Sequence, residues 1–437
     1  MKLTFYGAAS EIGRSCIMLE SNDARVLLDC GVKIGRTDEY PVIEDADLGG
    51  IDAIIISHAH LDHSAYLPHV FSAGYNNPVY STKPTMELIN ILVTDYLRIS
   101  EPENVEKTGL QDMQKHFRLV EFHQEFNVKG LTIKLVPAGH ILGSAMIEIS
   151  DGKQKLIYTG DMNMRGTRLL EPAYTRLLHA DTLLMESTYG GDTDTFPSEK
   201  VIINQMIGSI KETASSGGKI IIPSFGVGRA QEMLLLLDDY MKSGQIPPMP
   251  IYADGMINKA MRIHRHNVIY CREELQKRIL LNDDDPFKSK NFIQVSTIAE
   301  RKKVMEEKEP SIIVTTSGML TGGPVLKYIE RLGADPGNKM IIVGYQAEGT
   351  RGRELVNGSR KIKVGPKLVD VNLKVEQYHL SAHSDRQQLI SLVGKVEGLG
   401  KVILIHGDKT KSNELAEAIK KDHETSVPAL KDEITVG

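Results

Sequence analysis

The chain has 437 residues, of which 41% are hydrophobic and 25% charged; that composition supports one to three domains with sizeable cores and excludes a disordered chain. Cys16, Cys30 and Cys271 are too few and too scattered for a disulfide framework or a zinc ribbon, the residues Met1–Gly7 lack the long apolar stretch of a signal peptide, and no run approaches the roughly 18–20 apolar residues of a membrane span, so a cytoplasmic protein without membrane association is expected. The net charge of −5 argues weakly against a nucleic-acid binder, because counterion release rewards a basic surface, yet the sum omits bound metal ions and local patches.

Up to about residue 190 the sequence predicts short strands divided by glycine-rich turns, at 2–6, 16–20, 25–29, 53–57, 131–137, 145–149, 155–159 and 182–186. Each is a short apolar run rich in Ile, Val and Leu. A helix is expected after the histidine cluster near residue 60 and another over 85–98, so helices pack over sheets. From about 195 the rhythm changes. Helical stretches at 199–214, 230–241 and 257–266 alternate with buried-type strands at 219–223, 311–315 and 340–344, the alternation of a parallel sheet. The first style returns near 361, with strands at 369–376 and 402–405 and helices at 386–393 and 411–421. The simplest organisation is one domain, 1–190 and 361–437, interrupted by a second at 191–360.

The strongest chemical signal is Ser57-His58-Ala59-His60-Leu61-Asp62-His63, directly after the apolar Ala53-Ile54-Ile55-Ile56. Imidazole and carboxylate are the ligands of catalytic Zn²⁺. On a tight loop at a strand end alternate residues point the same way, so His58 and His60 can reach one metal while Asp62 and His63 reach another. Asp29, His140, Asp161 and His406 likewise close buried-type strands. Together they supply enough nitrogen and oxygen for two ions.

This set resembles the metallo-β-lactamase superfamily, an α/β fold built as a four-layer αββα sandwich. By the family pattern His58, His60 and His140 hold one Zn²⁺, Asp62, His63 and His406 hold a second, and Asp161 bridges them. Asp29 matches the carboxylate that orients a ligand histidine from behind. The chain is also similar to the β-CASP branch, whose members cut nucleic acids. The likeness lies in Glu186-Ser187-Thr188-Tyr189-Gly190, Ser381-Ala382-His383-Ser384-Asp385 and Leu404-Ile405-His406-Gly407-Asp408. Inside the insert it extends to 223–232, Thr316-Ser317-Gly318-Met319 and 344–350. The resemblance implies an inserted β-CASP domain with a mainly parallel sheet flanked by helices. The nearest patterns are the nuclease subunit of the cleavage and polyadenylation specificity factor and its archaeal and bacterial homologues. A histidine at 406, where DNA-acting members usually carry valine, favours RNA.

The resemblance implies a zinc-dependent ribonuclease that hydrolyses RNA phosphodiester bonds endonucleolytically, with 5′-to-3′ exonucleolytic action as a second mode. Two alternatives stay open: a 5′-to-3′ exoribonuclease of the ribonuclease J type, and a non-catalytic scaffold in an RNA-processing complex. Asp62, Asp161, Glu186 and His383 are the expected catalytic residues. His383 would donate the proton to the leaving oxygen and Glu186 would keep it charged. Ser224, Arg229, Ser317 and Gly318 would contact RNA phosphates. Arg351, Arg353, Arg360, Lys361, Lys363 and Lys367 form either a solvated loop or a further phosphate contact. His264 and His266 are read as surface residues and His69 as packing; His379 is left open. A homodimer is expected.

Overall fold

The computed structural model describes residues 1–35, 37–100, 102 and 107–436. The chain divides into two compact units: Met1–Gly166 with Leu170–Thr195 and His383–Gly437, and Thr167–Leu169 with Phe196–Ala382.

The first unit contains two seven-stranded sheets. One runs Glu433–Thr435, Lys2–Phe5, Ile17–Ser21, Ala24–Leu28, Ala53–Ile55, Val79–Ser81, Phe117–Leu119. The other runs Glu424–Ser426, Lys401–Ile405, Thr182–Glu186, Lys155–Tyr158, Ala145–Ser150, Leu131–Pro137, Glu125–Val128. Their inner faces share one apolar core. Leu3, Phe5, Leu19, Val26, Leu28 and Ile55 come from the first sheet, and Ile133, Leu135, Ile147, Tyr158, Leu184 and Ile403 from the second. Alternate residues point the other way. Val136, Met146, Ile157, Leu183, Met185, Val402 and Leu404 meet Leu389, Leu392 and Val393 of helix Arg386–Val393 and Leu415 and Ile419 of helix Lys409–Ile419. Ile54 is also fully buried, and the parallel pairing of its strand with both neighbours requires crossover connections. The result is helix, sheet, sheet, helix.

The second unit carries a six-stranded sheet ordered Phe292–Val295, Ile251–Asp254, Ile312–Thr315, Ile220–Pro223, Lys339–Ile342, Lys374–Gln377. Every pairing in it is parallel, and helices connect the strands. This unit ends at Ala382, not at 360. Lys374–Gln377 pairs with Lys339–Ile342. The hairpin Lys361–Val364/Lys367–Asp370 buries Ile362 and Val364 in this unit's core. The strand expected at 369–376 is broken at Val371 and Leu373, both buried in that core. Among the described residues no helix is long and apolar enough to cross a membrane.

Candidate active site

The chemistry-bearing residues of the first unit lie just past the carboxyl ends of its strands. Ala24–Leu28 and Ala53–Ile55 run parallel, as do Lys155–Tyr158, Thr182–Glu186 and Lys401–Ile405, so their ends share a direction and their following turns meet. Asp29 and His406 have φ of 59° and 49°, the left-handed region that stops a strand and redirects the side chain. Backbone bonds compensate that conformation: Asp29 N donates to Ile55 O at 3.0 Å and His406 N to Ala8 O at 2.8 Å.

Among the described residues the ligand atoms of His58, His60, His140 and Asp161 lie within 4.8 Å of one another, as do those of a second group, Asp62, His63 and His406; Asp161 and His406 form a further such grouping with Glu186. His60 Nδ1 lies 3.2 Å from His58 Nε2 and 3.1 Å from His140 Nε2. Asp161 Oδ2 is 3.6 Å from His58 Nε2 and 3.7 Å from His140 Nε2. Donors about 2.0–2.1 Å from a tetrahedral metal stand roughly 3.3–3.4 Å apart, so this set fits one ion. In the second group His406 Nε2 is 3.3 Å from Asp62 Oδ2, and His63 Nε2 is 4.0 Å from it. Asp161 Oδ1 turns the opposite way from Oδ2 and sits 3.4 Å from His63 Nε2 and 3.2 Å from His406 Nδ1. One carboxylate thus faces both groups.

Asp29 explains why His63 presents Nε2. Fully buried, its carboxylate accepts from His63 Nδ1 at 2.7 Å, from Ser57 N and Oγ at 2.7 Å each, and from the Tyr158 hydroxyl at 2.6 Å. With Nδ1–H committed, His63 turns Nε2 toward Asp161 Oδ1; burial alone would lower this ring, but Asp161 and then Asp29 outweigh it and hold it well above the ordinary histidine range, so a metal on Nε2 takes the place of a proton. Both atoms are buried, and among the described residues neither has a hydrogen-bond partner. Two acceptors facing one another need a proton or a cation between them. Burial, then the neighbouring His63, push His58 well below the ordinary histidine range, and burial also lowers His60. Neutral imidazole is the form that ligates a metal. For Asp161 burial works the other way, yet His406, His63 and His383 together hold its carboxyl well below the usual range.

Glu186 and His383 form a second pair beside these groups. His383 Nδ1 lies 2.9 Å from Glu186 Oε2, and its Nε2 is 4.0 Å from Asp161 Oδ2. Burial alone would lower His383, but Glu186 and then Asp161 outweigh it and push it up to about 9. Glu186 is itself fully buried and held by the Met162 amide at 2.7 Å.

An RNase J-like protein from Methanocaldococcus jannaschii is 38% identical, with 96% of this chain and 95% of that one aligned. The transcription termination factor FttA of the same organism is 38% identical over the whole of this chain and 72% of its own length. Family models match in chain order: the metallo-beta-lactamase superfamily domain at 18–186, the Beta-Casp domain at 230–355 and the Zn-dependent metallo-hydrolase RNA specificity domain at 368–429. The chain belongs to the β-CASP branch of the metallo-β-lactamase superfamily. A crystal structure of an Enterococcus faecalis V583 protein of unknown function shares the fold of this β-CASP chain, with a TM-score of 0.62 at 15% identity over 99% of each chain. The fold family implies a bound metal, and the two donor groups fit one.

The four residues expected at RNA phosphates all lie in the second unit of the β-CASP chain, past the ends of the adjacent strands Ile220–Pro223 and Ile312–Thr315. Ser224 Oγ is buried and, among the described residues, without a hydrogen-bond partner. Arg229 opens helix Arg229–Lys242. Ser317 Oγ is already engaged by the Thr321 and Gly322 amides at 3.0 and 3.3 Å. A Cβ on Gly318 would stand 2.9 Å from Phe225 N, so this glycine admits a neighbouring backbone rather than only an anion. In the basic segment Lys361 pairs with Asp370 and Lys367 with Glu330, while Arg351 donates to the Leu320 and Thr321 carbonyls.

His264 is not on the surface: it is fully buried, and its Nδ1 is bonded to Ala260 O. His266 is exposed. His69 packs on Tyr66 with ring centroids 4.5 Å apart and bonds Asp45. His379 stacks on Phe196 in the second unit. Sequence reasoning missed the roles of Ser57 and Tyr158. Their only signal was proximity to His58 and Asp161 at strand ends.

Proposed function

We propose that this protein is a two-zinc ribonuclease that hydrolyses RNA phosphodiester bonds, cutting endonucleolytically and also acting from the 5′ end. The observation that carries the reading is Asp161, one oxygen toward His58 and His140 and the other toward His63 and His406. The names of the similar proteins, an RNase J-like protein and a transcription termination factor, fit a nuclease acting on transcripts. The match to an RNA specificity domain supports RNA over DNA.

His58, His60, His140 and Asp161 would hold one Zn²⁺, and Asp62, His63, His406 and Asp161 the other. When bound, these ions supply Lewis-acid charge and a water of lowered pKa. The chain's own residues do the rest. Asp29 fixes the ring direction and tautomer of His63. Glu186, bonded to His383 Nδ1, holds that ring charged with Nε2 directed to the reacting side, where it hands a proton to the departing ribose oxygen. Within the second unit, Ser224 and Arg229 would bind RNA phosphates. A cytoplasmic homodimer completes the reading and is checked by light scattering in solution.

The experiment is cleavage of RNA labelled internally and at its 5′ end by the zinc-loaded chain. Internal fragments together with mononucleotides, both lost in Asp62→Ala, are expected. Undiminished cleavage by Asp62→Ala, or cleavage insensitive to chelation, would refute the reading.

A further inference from the structure

His383 has little regular structure to hold it. It precedes helix Arg386–Val393 by three residues and is the first residue of the returning segment of its unit. A donor that must reach a leaving oxygen needs a fixed place, because a misplacement of about 1 Å can cost roughly 100-fold in rate. Three of the four residues after Asp161 provide that place. Met162 N donates to Glu186 Oε1 at 2.7 Å. Met162 O accepts from Ser384 N at 2.9 Å. Met164 N donates to Ser384 Oγ at 3.0 Å. Arg165 pairs with Asp385 through its guanidinium. One short loop, covalently joined to Asp161, therefore grips both His383's partner and the two residues C-terminal to His383.

We propose that Arg165 is a positioning residue for RNA cleavage, acting through Asp385 to lock the His383 segment onto the loop after Asp161. The inference rests on the proposed nuclease activity. The two oxygens of Asp385 have separate tasks. Oδ1 caps the helix by accepting from Gln388 N at 3.0 Å, and Oδ2 takes Arg165. The Asp385 side chain is only 4% exposed while that of Arg165 is 36% exposed. Removing the guanidinium leaves a nearly buried carboxylate without its counter-charge, and the segment carrying it shifts toward water. Helix Arg386–Val393 is not at stake in the pair, because its cap uses the other oxygen.

That division supplies the test. Asp385→Asn keeps a good helix cap, since Asn caps as well as Asp, but loses the charge. Arg165→Gln loses it from the other side. Wild type, both single variants, the double variant and Arg165→Lys are loaded with zinc and assayed on labelled RNA in steady state and in single turnover, with metal content and thermal midpoint measured alongside. The expected result is a kcat lowered about 10- to 100-fold in each single variant, with KM within about twofold, zinc content as in wild type, a double variant no worse than either single one, and partial rescue in Arg165→Lys. A raised KM with unchanged kcat would overturn the proposal, because Arg165 would then be binding substrate directly. So would additive losses, or a fall in activity that only tracks lost zinc or lost folded protein. A wild type that fails to cut RNA at all would instead sink the nuclease reading, whereas a wild type that cuts no better than its variants sinks only this one.

Discussion

Asp29→Asn is the sharpest test of how the metal groups are supported. The carboxylate receives four donors: Ser57 N at Oδ1, and Ser57 Oγ, His63 Nδ1 and the Tyr158 hydroxyl at Oδ2. The amide has the same shape but only one acceptor oxygen. Placed where it serves His63, Ser57 Oγ and Tyr158, it turns its NH₂ toward the Ser57 N–H, which belongs to the backbone and cannot rotate away. Placed the other way, it loses three donors. The better orientation leaves a buried donor facing a donor, at a cost of about 1–3 kcal/mol for each unsatisfied group, and weakens three bonds that a charged acceptor had strengthened. Stability of the first unit should fall by about 2–5 kcal/mol. Metal affinity should fall about 10- to 100-fold, or about 1.4–2.7 kcal/mol, because His63 is no longer held in direction and tautomer. Zinc release in a chelator titration reads the affinity, and denaturant unfolding at fixed zinc reads the stability. A variant that keeps wild-type zinc affinity would refute the claim that Asp29 acts through His63.

Asp161→Asn should remove zinc from both groups, since one neutral oxygen cannot serve both sides, and should abolish RNA cleavage; a variant retaining full zinc content by elemental analysis contradicts the bridging role. Glu186→Gln should lower kcat about 10²- to 10⁴-fold, the usual range for loss of acid–base assistance, with zinc content unchanged; loss of metal in parallel would move Glu186 into the metal groups. Tyr158→Phe removes the hydroxyl of the second sheet that bonds Asp29 of the first, and thermal unfolding should report about 1–2 kcal/mol less stability. His264, in the second unit, is pushed by burial from 6.5 down to about 4. The unfolded chain therefore takes up the proton first, and stability present above about pH 6.5 is lost as pH falls toward 4, by about 1.4 kcal/mol per pH unit and about 3 kcal/mol in all. His264→Leu should flatten that acid slope; an unchanged slope in urea titrations from pH 7 to 4 would exclude His264 as its source.

Much of the site is legible in the sequence because its signals are local. A polar ligand type closing a run such as Ala53-Ile54-Ile55-Ile56 or Val402-Ile403-Leu404-Ile405 is visible in the residues themselves, and the structure places His58 and His406 just past those runs. The strands predicted at 131–137 and 182–186 match the structure to the residue, since a buried strand in a sandwich announces itself as a bounded apolar stretch. Short edge strands such as Glu433–Thr435 and Phe292–Val295 escape the sequence, because only one neighbour holds them and their residues lack a sustained apolar pattern. The burial of His264 escapes it for a related reason: a histidine two residues from another on a helix does not reveal which face is covered, and only the packing of the second unit does.

By itself, then, the amino-acid order specified which residue types could chelate a metal, that they terminate core strands, and that a domain of helices over sheets is interrupted by one built on a parallel sheet. Folding in three dimensions decided that Asp161 addresses both donor groups, that Asp29 and Tyr158 join the two sheets beneath them, and that the insert extends to Ala382. The division arises from range. Hydrophobic pattern and strand termination depend on neighbours a few residues apart, whereas a carboxylate's two faces, a hydrogen bond across 129 positions and the last strand of a sheet are set by which surfaces pack together.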